Sequence, residues 1–439
     1  MTNRTSHAAF AAAFCAALLG ASSLAQAQQK VEVYTSDDPA LRLGAFAFDG
    51  GKTLQLTNGI GSGAFHSPKD PDTVVYTISD RGANFTCDEE GQEITGLTPQ
   101  QMCGGTKNAR AYPMPSYAPS IFTVELMAGN TFRVTKAMPL KDSDGKPLTG
   151  IVNTLTHAST EIPFDGKGNK LAQDPGGVDL EGLVKLADGS FWVSDENAPG
   201  ILHVAADGKV IKRLVPAGSE GDFKNANYPV EGSLPAILVK RQNNRGIESI
   251  TMSPDEKFIY FIVQNPLANP DAAAYRDAAN ARLYKMDRAS EKIVGEYVYA
   301  LDDYKLYKDG SKAMNAGRIS EMSALGTDRL LVLERTDKVT RLNEISLADA
   351  TDIFGSKWDD VATSPTLEQS KDAAAIGVRP TPKTLRLDTN EYPEMPVKLE
   401  GIAFLNDGRM LLINDDDFGI TGERSKIVLV SDPALKLTN

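Results

Sequence analysis

The chain has 439 residues, with 58 aspartates and glutamates against 46 lysines and arginines and a formal net charge of −12. The acidity is spread along the chain, which disfavours nucleic acid as a partner, because such binding needs a basic face. Apolar residues make up 41% of the total, enough for a sizeable core, and the length suits either a few ordinary domains or one large all-β unit.

In chain order, the N-terminus reads first as an export signal. Arg4 precedes an apolar run from Ala8 to Leu19, and Ala25-Gln26-Ala27 supplies a small-x-small cleavage site. The run is too short to span a bilayer. Cys15 sits inside it rather than at the cleavage point, so neither a membrane anchor nor a lipid anchor is expected. The reading is a cleaved signal over 1–27, then a periplasmic or secreted domain over 28–439, expected to be a monomer. Two cysteines then remain, Cys87 and Cys103, 16 residues apart. An even count in an exported chain points to one disulfide stapling a loop, and no histidine or zinc spacing supports a metal site there.

From residue 61 onward one hairpin unit recurs. It begins at Gly61-Ser62-Gly63-Ala64-Phe65, turns at Lys69-Asp70-Pro71-Asp72 and returns over Val74 to Asp80. Asp179-Leu180-Glu181-Gly182-Leu183 returns over Phe191 to Asp195, and Gly246-Ile247-Glu248-Ser249-Ile250 over Phe258 to Gln264. Ile319-Ser320-Glu321-Met322-Ser323 returns over Leu330 to Glu334, and Leu399-Glu400-Gly401-Ile402-Ala403 over Met410 to Asp415. Asp-Gly and Pro-Asp turns make these strong hairpin signals. A second strand pair follows each unit, clearest at 121–138, 201–215 and 282–301 and weaker at 339–345 and 426–430.

Two hairpins in succession make a four-stranded antiparallel blade, so the expected fold is all-β, a single β-propeller. Five units are recognisable. Val31 to Tyr34 or Thr53 to Leu56, with Thr384 to Leu387, are candidates for a sixth blade. The glutamates lie 67, 73 and 79 residues apart, wider than a minimal blade. The loops therefore carry insertions, the largest over 81–118, which holds both cysteines, and over 348–398. Short helices are expected at Asp271 to Arg282 and from Ser364-Pro365, where Glu368 follows a proline at the first helical position.

The first strand of a blade lines the central channel, so Glu181, Glu248, Glu321 and Glu400 should converge there. Crowded carboxylates persist if protonated or neutralised by a cation, and oxygen-only ligands favour a hard divalent ion, above all Ca²⁺. The second strands end in Asp80, Asp195, Gln264, Glu334 and Asp415, a further ring of oxygen-bearing groups, and Asp179 and Asp415-Asp416-Asp417 add to it. The alternative is that each glutamate only ties one blade to the backbone of the next. Arg81, Arg245, Arg318, Arg335 and Lys398 lie beside these acids. They either neutralise the channel or, with the metal, bind an anion such as phosphate, whose geometry arginine matches bidentately.

Other chemistries find no support. There is no H-E-x-x-H and no G-x-S-x-G, and Gly59 to Gly63 lacks the lysine of a phosphate loop. Lys146 interrupts the calcium-loop pattern begun by Asp142 and Asp144. His66 is the one histidine placed near the expected channel, and it is a minor catalytic candidate.

Several of these motifs, taken in order, resemble the bacterial phytase-like family, also called "esterase-like activity of phytase". They are Ser79-Asp80-Arg81-Gly82, Asp179 to Leu183 with Ser194-Asp195-Glu196, Asn244 to Glu248 and Leu399 to Ile402. The resemblance runs from about Leu43 to the C-terminus. It implies an exported propeller that hydrolyses an ester or phosphoester, and it carries no catalytic residues with it. The expected mechanism is metal-assisted hydrolysis of a small anionic ester, with the glutamates, Asp80, Asp195 and Asp415 around the metal and Arg81, Arg245, Arg318 and His66 acting on substrate. Two other readings stay open: a non-catalytic ligand-binding or scaffold propeller, and a lactonase or sugar-acid hydrolase.

Overall fold

The computed structural model describes Met1 and residues 30–431; the export signal lies outside the described residues. The described chain is all-β and mostly antiparallel, with three short α-helices among the described residues. Each recurring unit becomes the first two strands of one sheet. Sheet 1 runs Gly63–Phe65, Val74–Ile78, Ser120–Met127 and Thr131–Pro139. Sheet 2 runs Leu180–Lys185, Phe191–Asp195, Gly200–Val204 and Val210–Pro216, and adds Val230–Leu234 in parallel at its edge. Sheet 3 is Ile247–Met252, Phe258–Val263, Asn280–Asp287 and Lys292–Ala300. Sheet 4 is Arg318–Gly326, Arg329–Arg335, Thr340–Ser346 and Lys383–Asp388. Sheet 5 is Leu399–Phe404, Met410–Asn414 and Ile427–Ser431, with Lys30–Tyr34 from the other end of the chain as its fourth strand.

The core lies between sheets. Tyr76, Ile78 and Ile121 of sheet 1 pack on Leu183, Phe191 and Val193 of sheet 2. Trp192, Phe261 and Val332 belong to one cluster running through sheets 2, 3 and 4. Leu331 and Leu342 of sheet 4 meet Leu412 and Val428 of sheet 5, and Leu411 and Leu429 of sheet 5 meet Val75 and Phe122 of sheet 1. Every sheet thus buries its faces against two neighbours, and the fifth packs on the first, a propeller-like arrangement. The first strands of successive sheets contact one another in the same cyclic order. Some approaches there leave no room for a side chain. A Cβ on Gly63 would lie 2.5 Å from the Glu181 carbonyl, and one on Gly182 would lie 2.8 Å from the Ile250 amide.

The segments expected to form a sixth blade are used elsewhere. Val31 to Tyr34 completes sheet 5, and Thr384 to Leu387 is the outer strand of sheet 4. Thr53–Thr57 forms a two-stranded ribbon with Arg42–Ala47. Pairing the N-terminal strand with the C-terminal one covers an edge that would otherwise stay open, which is a sufficient physical reason for the assignment.

The two insertions cover the sheets. Cys87 and Cys103 are bonded, within a segment holding helices Glu89–Thr95 and Pro99–Cys103. Thr98 and Gln101 form a capping box there. Of the helix expected over Asp271 to Arg282, Ala272–Asp277 forms, with the Asp271 side chain capping Ala273 and Ala274, and the chain is a strand from Asn280 on. The one expected from Ser364 does not. Thr366 and Gln369 close a single turn, and the buried Glu368 is drawn to Arg282 at 2.8 Å instead of continuing along a helix. No described helix is long and apolar enough to cross a membrane.

Candidate functional site

At the ends of the first strands where the sequence places its glutamates, the sheets enclose a cavity of about 250 Å³ lined mostly by charged side chains. Register decides which ones. A β-bulge interrupts the first strand of each of sheets 2 to 5, between Leu180 and Leu183, Ile247 and Ser249, Ile319 and Glu321, and Leu399 and Gly401. Glu181, Glu248 and Glu400 occupy the bulges and line the cavity. In sheet 4 the bulged residue is Ser320.

Glu321 therefore falls one place later, opposite Leu333, where Ser249 stands opposite Ile262 and Gly401 opposite Ile413. A shift of one residue turns a strand side chain to the other side. Glu321 is fully buried away from the cavity lining and accepts from Ser249 Oγ at 2.6 Å, Met322 N at 3.1 Å and Ala64 N at 3.4 Å. It ties sheet 4 to sheets 3 and 1, the structural role the sequence left open for every glutamate. Glu321→Leu should strand those donors and cost about 3 kcal/mol of stability in denaturant unfolding, while the folded fraction keeps whatever binds in the cavity.

The second ring shifts in the same way. Leu180, Ile247, Ile319 and Leu399 pair with Asp195, Val263, Glu334 and Asn414. The residues one step further, Glu196, Gln264, Arg335 and Asp415, line the cavity together with Asp80. Asp195 instead forms a fully buried pair with Arg213 at 3.0 Å and accepts from Asp179 N and Ala198 N. Glu334 accepts from the hydroxyls of Tyr299 and Tyr307, each at 2.7 Å. His66 lies at the opposite ends of the first strands, in a second cavity with Phe65, Leu183, Ile250 and Phe404. Its Nδ1 donates to the Val74 carbonyl at 2.8 Å.

The lining divides by sheet. Sheets 1 to 3 and the segments between them contribute Asp80, Asp179, Glu181, Glu196 and Glu248 with Arg81, Arg110 and Arg245. Sheets 4 and 5 contribute Arg318, Arg335 and Lys398 with Glu400, Asp415 and Asp417. On the basic side the acids are matched. Arg335 pairs with Glu400, and Lys398 holds Asp415 at 2.5 Å and also Asp417. Arg318 reaches the exposed Asp337 at 2.7 Å. Burial, then the neighbouring Arg335 and Arg245 guanidiniums, lower its pKa against the pull of Asp337 and Glu400.

On the acidic side the matching fails. Arg81 is engaged by Glu161 at 2.8 Å and reaches Asp179 at 3.4 Å; Arg110 also binds Glu161, at 2.6 Å. Arg245 meets Glu196 at 3.5 Å. Both carboxylate oxygens of Asp179 and Oε2 of Glu248 are buried without a hydrogen bond among the described residues, as is Oε1 of Gln264. Burial, then Glu248, Asp179 and Glu196, push the Glu181 carboxyl well above its usual range. Burial, then Asp415 and Asp179, do the same to Asp80, and burial, then Glu196 and Glu400, to Glu248. Burial lifts Glu196 to about 7 against the pull of Arg245. Strongly perturbed carboxylates with buried oxygens that lack a hydrogen bond favour an external cation or a proton. One oxygen each of Asp80, Asp179 and Glu181 lie within 4.8 Å of one another, and so do those of Glu181, Glu196 and Glu248. The donors are all oxygen, with no histidine or cysteine, a set that suits a hard cation such as Ca²⁺.

Asp179, which the sequence already placed in the acidic supply, is joined on the acidic side by Glu196 and Glu161, which it did not single out. Glu196 directly follows Asp195, so only the bulge register could have chosen between them. Glu161 lies at the edge of Ile162–Asp165, a strand of a small inserted sheet outside the repeat.

Fold and cavity together define a class, the propeller-like all-β protein with a charged axial site. The sequence model of the phytase-like family, described as "esterase-like activity of phytase", matches residues 59–418. The chain belongs to that family. It is also 28% identical over 232 residues to an uncharacterized secreted protein of Arthroderma benhamiae, a match covering 46% of this chain and 45% of that protein. The chain thus spans under half the length of that relative. Among solved structures, regucalcin from Agrobacterium tumefaciens, described as a calcium-binding protein, is 14% identical with a TM-score of 0.33, over 92% of this chain and 98% of that one. A luciferin-regenerating enzyme is 11% identical with a TM-score of 0.34, over 93% and 97%. Likenesses this loose carry no weight for the site.

Proposed function

We propose that this is an exported, monomeric, five-bladed propeller hydrolase, cleaved after Ala27, that splits a small anionic phosphate or carboxylic ester in the charged cavity. The observation that carries the reading is a charged cavity whose acidic side keeps buried oxygens without a hydrogen bond among the described residues, faced by Arg318, whose ion pair there is with the exposed Asp337. Asp80, Asp179, Glu181, Glu196 and Glu248 would hold a Ca²⁺-type cation. Such an ion, when bound, polarises an ester and lowers the pKa of water.

The chain's own residues do the rest. Arg318 and Lys398 hold the anionic part of the substrate across from the acidic half, Arg245 reaches it from beside Glu196, and Arg335, fixed by Glu400 and Ser320, braces the wall behind them. Arg81, held between Glu161 and Asp179, orients the acidic wall and does not reach over as a free donor.

The test is a panel of 4-nitrophenyl phosphate, 4-nitrophenyl acetate and a simple lactone, each assayed with and without chelator. Chelator-sensitive cleavage of the phosphate or the acetate is the expected result. Lactone turnover alone would move the reading to a lactonase. Tight cation binding with no turnover of any would make the protein a binding propeller.

A further inference from the structure

The acidic half contains two carboxylate triads, and they share one member. Asp80, Asp179 and Glu181 form one; Glu181, Glu196 and Glu248 form the other. Each triad has its own buried acceptor without a hydrogen bond among the described residues. In the first it is Asp179, 2% exposed; in the second it is Glu248, also 2% exposed. Gln264 Oε1, similarly orphaned, lines the same cavity and adds a neutral oxygen. A single ion would leave one triad's orphan unsatisfied, because each triad already brings its own three oxygens together.

We infer that the cavity holds two hard divalent cations, one per triad, with Glu181 bridging them through its two oxygens. Charge bears on what the pair of ions would do. Asp80, Asp179, Glu181, Glu196, Glu248 and the adjoining Glu161 stand against Arg81, Arg110, Arg245 and the buried Arg241. One divalent ion balances that half of the wall. A second makes it net positive, so that an anionic group is attracted there as well as by Arg318. Paired ions spanned by a carboxylate are also the arrangement that clamps attacking and leaving oxygens in phosphoryl chemistry, which narrows the expected substrate to a phosphate ester.

The inference deepens the proposed function, and its test does not read turnover. Chelator-treated full-length mature protein is titrated with Ca²⁺ by calorimetry, and bound Mn²⁺ is examined by electron paramagnetic resonance. Two Ca²⁺ per chain and a coupled dimanganese spectrum are expected. Asp80→Asn and Glu196→Gln, each confirmed folded by circular dichroism, should each lower the stoichiometry to one. Glu181→Gln should weaken both ions at least about tenfold. One Ca²⁺ per chain in the wild type, or two that persist unchanged in Glu181→Gln, would overturn it. A single ion with ester turnover intact would remove the second site and leave the function standing; two ions with no turnover would do the reverse.

Discussion

Glu181→Gln is expected to lower kcat/KM for a phosphate ester by about a hundredfold or more while leaving the chain folded. Glu181 belongs to both triads and is pressed by Glu248, Asp179 and Glu196. A glutamine keeps its shape but gives up the charge that a cation needs. The same change should make the cation-free protein more stable, by about 1 kcal/mol, since a buried carboxyl among other carboxyls is costly wherever it must ionise. Thermal melts in chelator check the gain, and melts in excess Ca²⁺ should show the order reversed, because only the wild type is then stabilised by a ligand bound to the folded state. A loss of activity accompanied by lower stability in both conditions would mean that Glu181 is structural.

Arg318→Ala has the second-largest expected effect, and it should discriminate between substrates. Arg318 reaches the cavity with the exposed Asp337 as its only ion-pair partner among the described residues, and the Arg335 and Arg245 guanidiniums stand close by. An anionic group is the natural partner for guanidiniums so placed. KM for 4-nitrophenyl phosphate should rise about 10- to 100-fold with kcat less affected, while a neutral ester changes by no more than about twofold. Arg318→Lys should recover part of the loss, because it restores charge without the bidentate geometry. Equal losses on charged and neutral esters would place Arg318 in the frame of the cavity and not in substrate binding.

Much of the architecture was legible because the hairpin unit repeats its turn chemistry and its hydrophobic pattern. All five first strands, and the strand pairs at 121–138, 201–215 and 282–301, stand where those patterns put them. What sequence could not supply was the register within each strand. Glu321 looks like Glu248 and Glu400 in a pattern keyed to the glutamate, yet one bulge position separates them, and the backbone alone holds that information. The same single step exchanges Asp195 for Glu196 and Glu334 for Arg335, and so hides the fact that the acids of sheets 4 and 5 meet matching bases while those of sheets 1 to 3 outnumber theirs.

The remaining differences arise from long-range partners. His66 follows its strand to the far end of the sheets, where Val74 and Asp72 hold it. The extra strands at 31–34 and 384–387 had the right pattern, but their partners lie across the chain at 427–431 and 341–345. The helices inside the disulfide loop did carry a local signature, Thr98-Pro99 with Gln101, which is a capping box followed by proline at the first helical position.

The most direct test of the central claim is a crystal structure with a lanthanide in place of Ca²⁺, read by anomalous scattering. Density is predicted inside the cavity, against Glu181 and between Asp179 and Glu248, with the basic wall of Arg318 and Lys398 left free of metal. A cavity without anomalous density under conditions where the ester is hydrolysed would contradict the account.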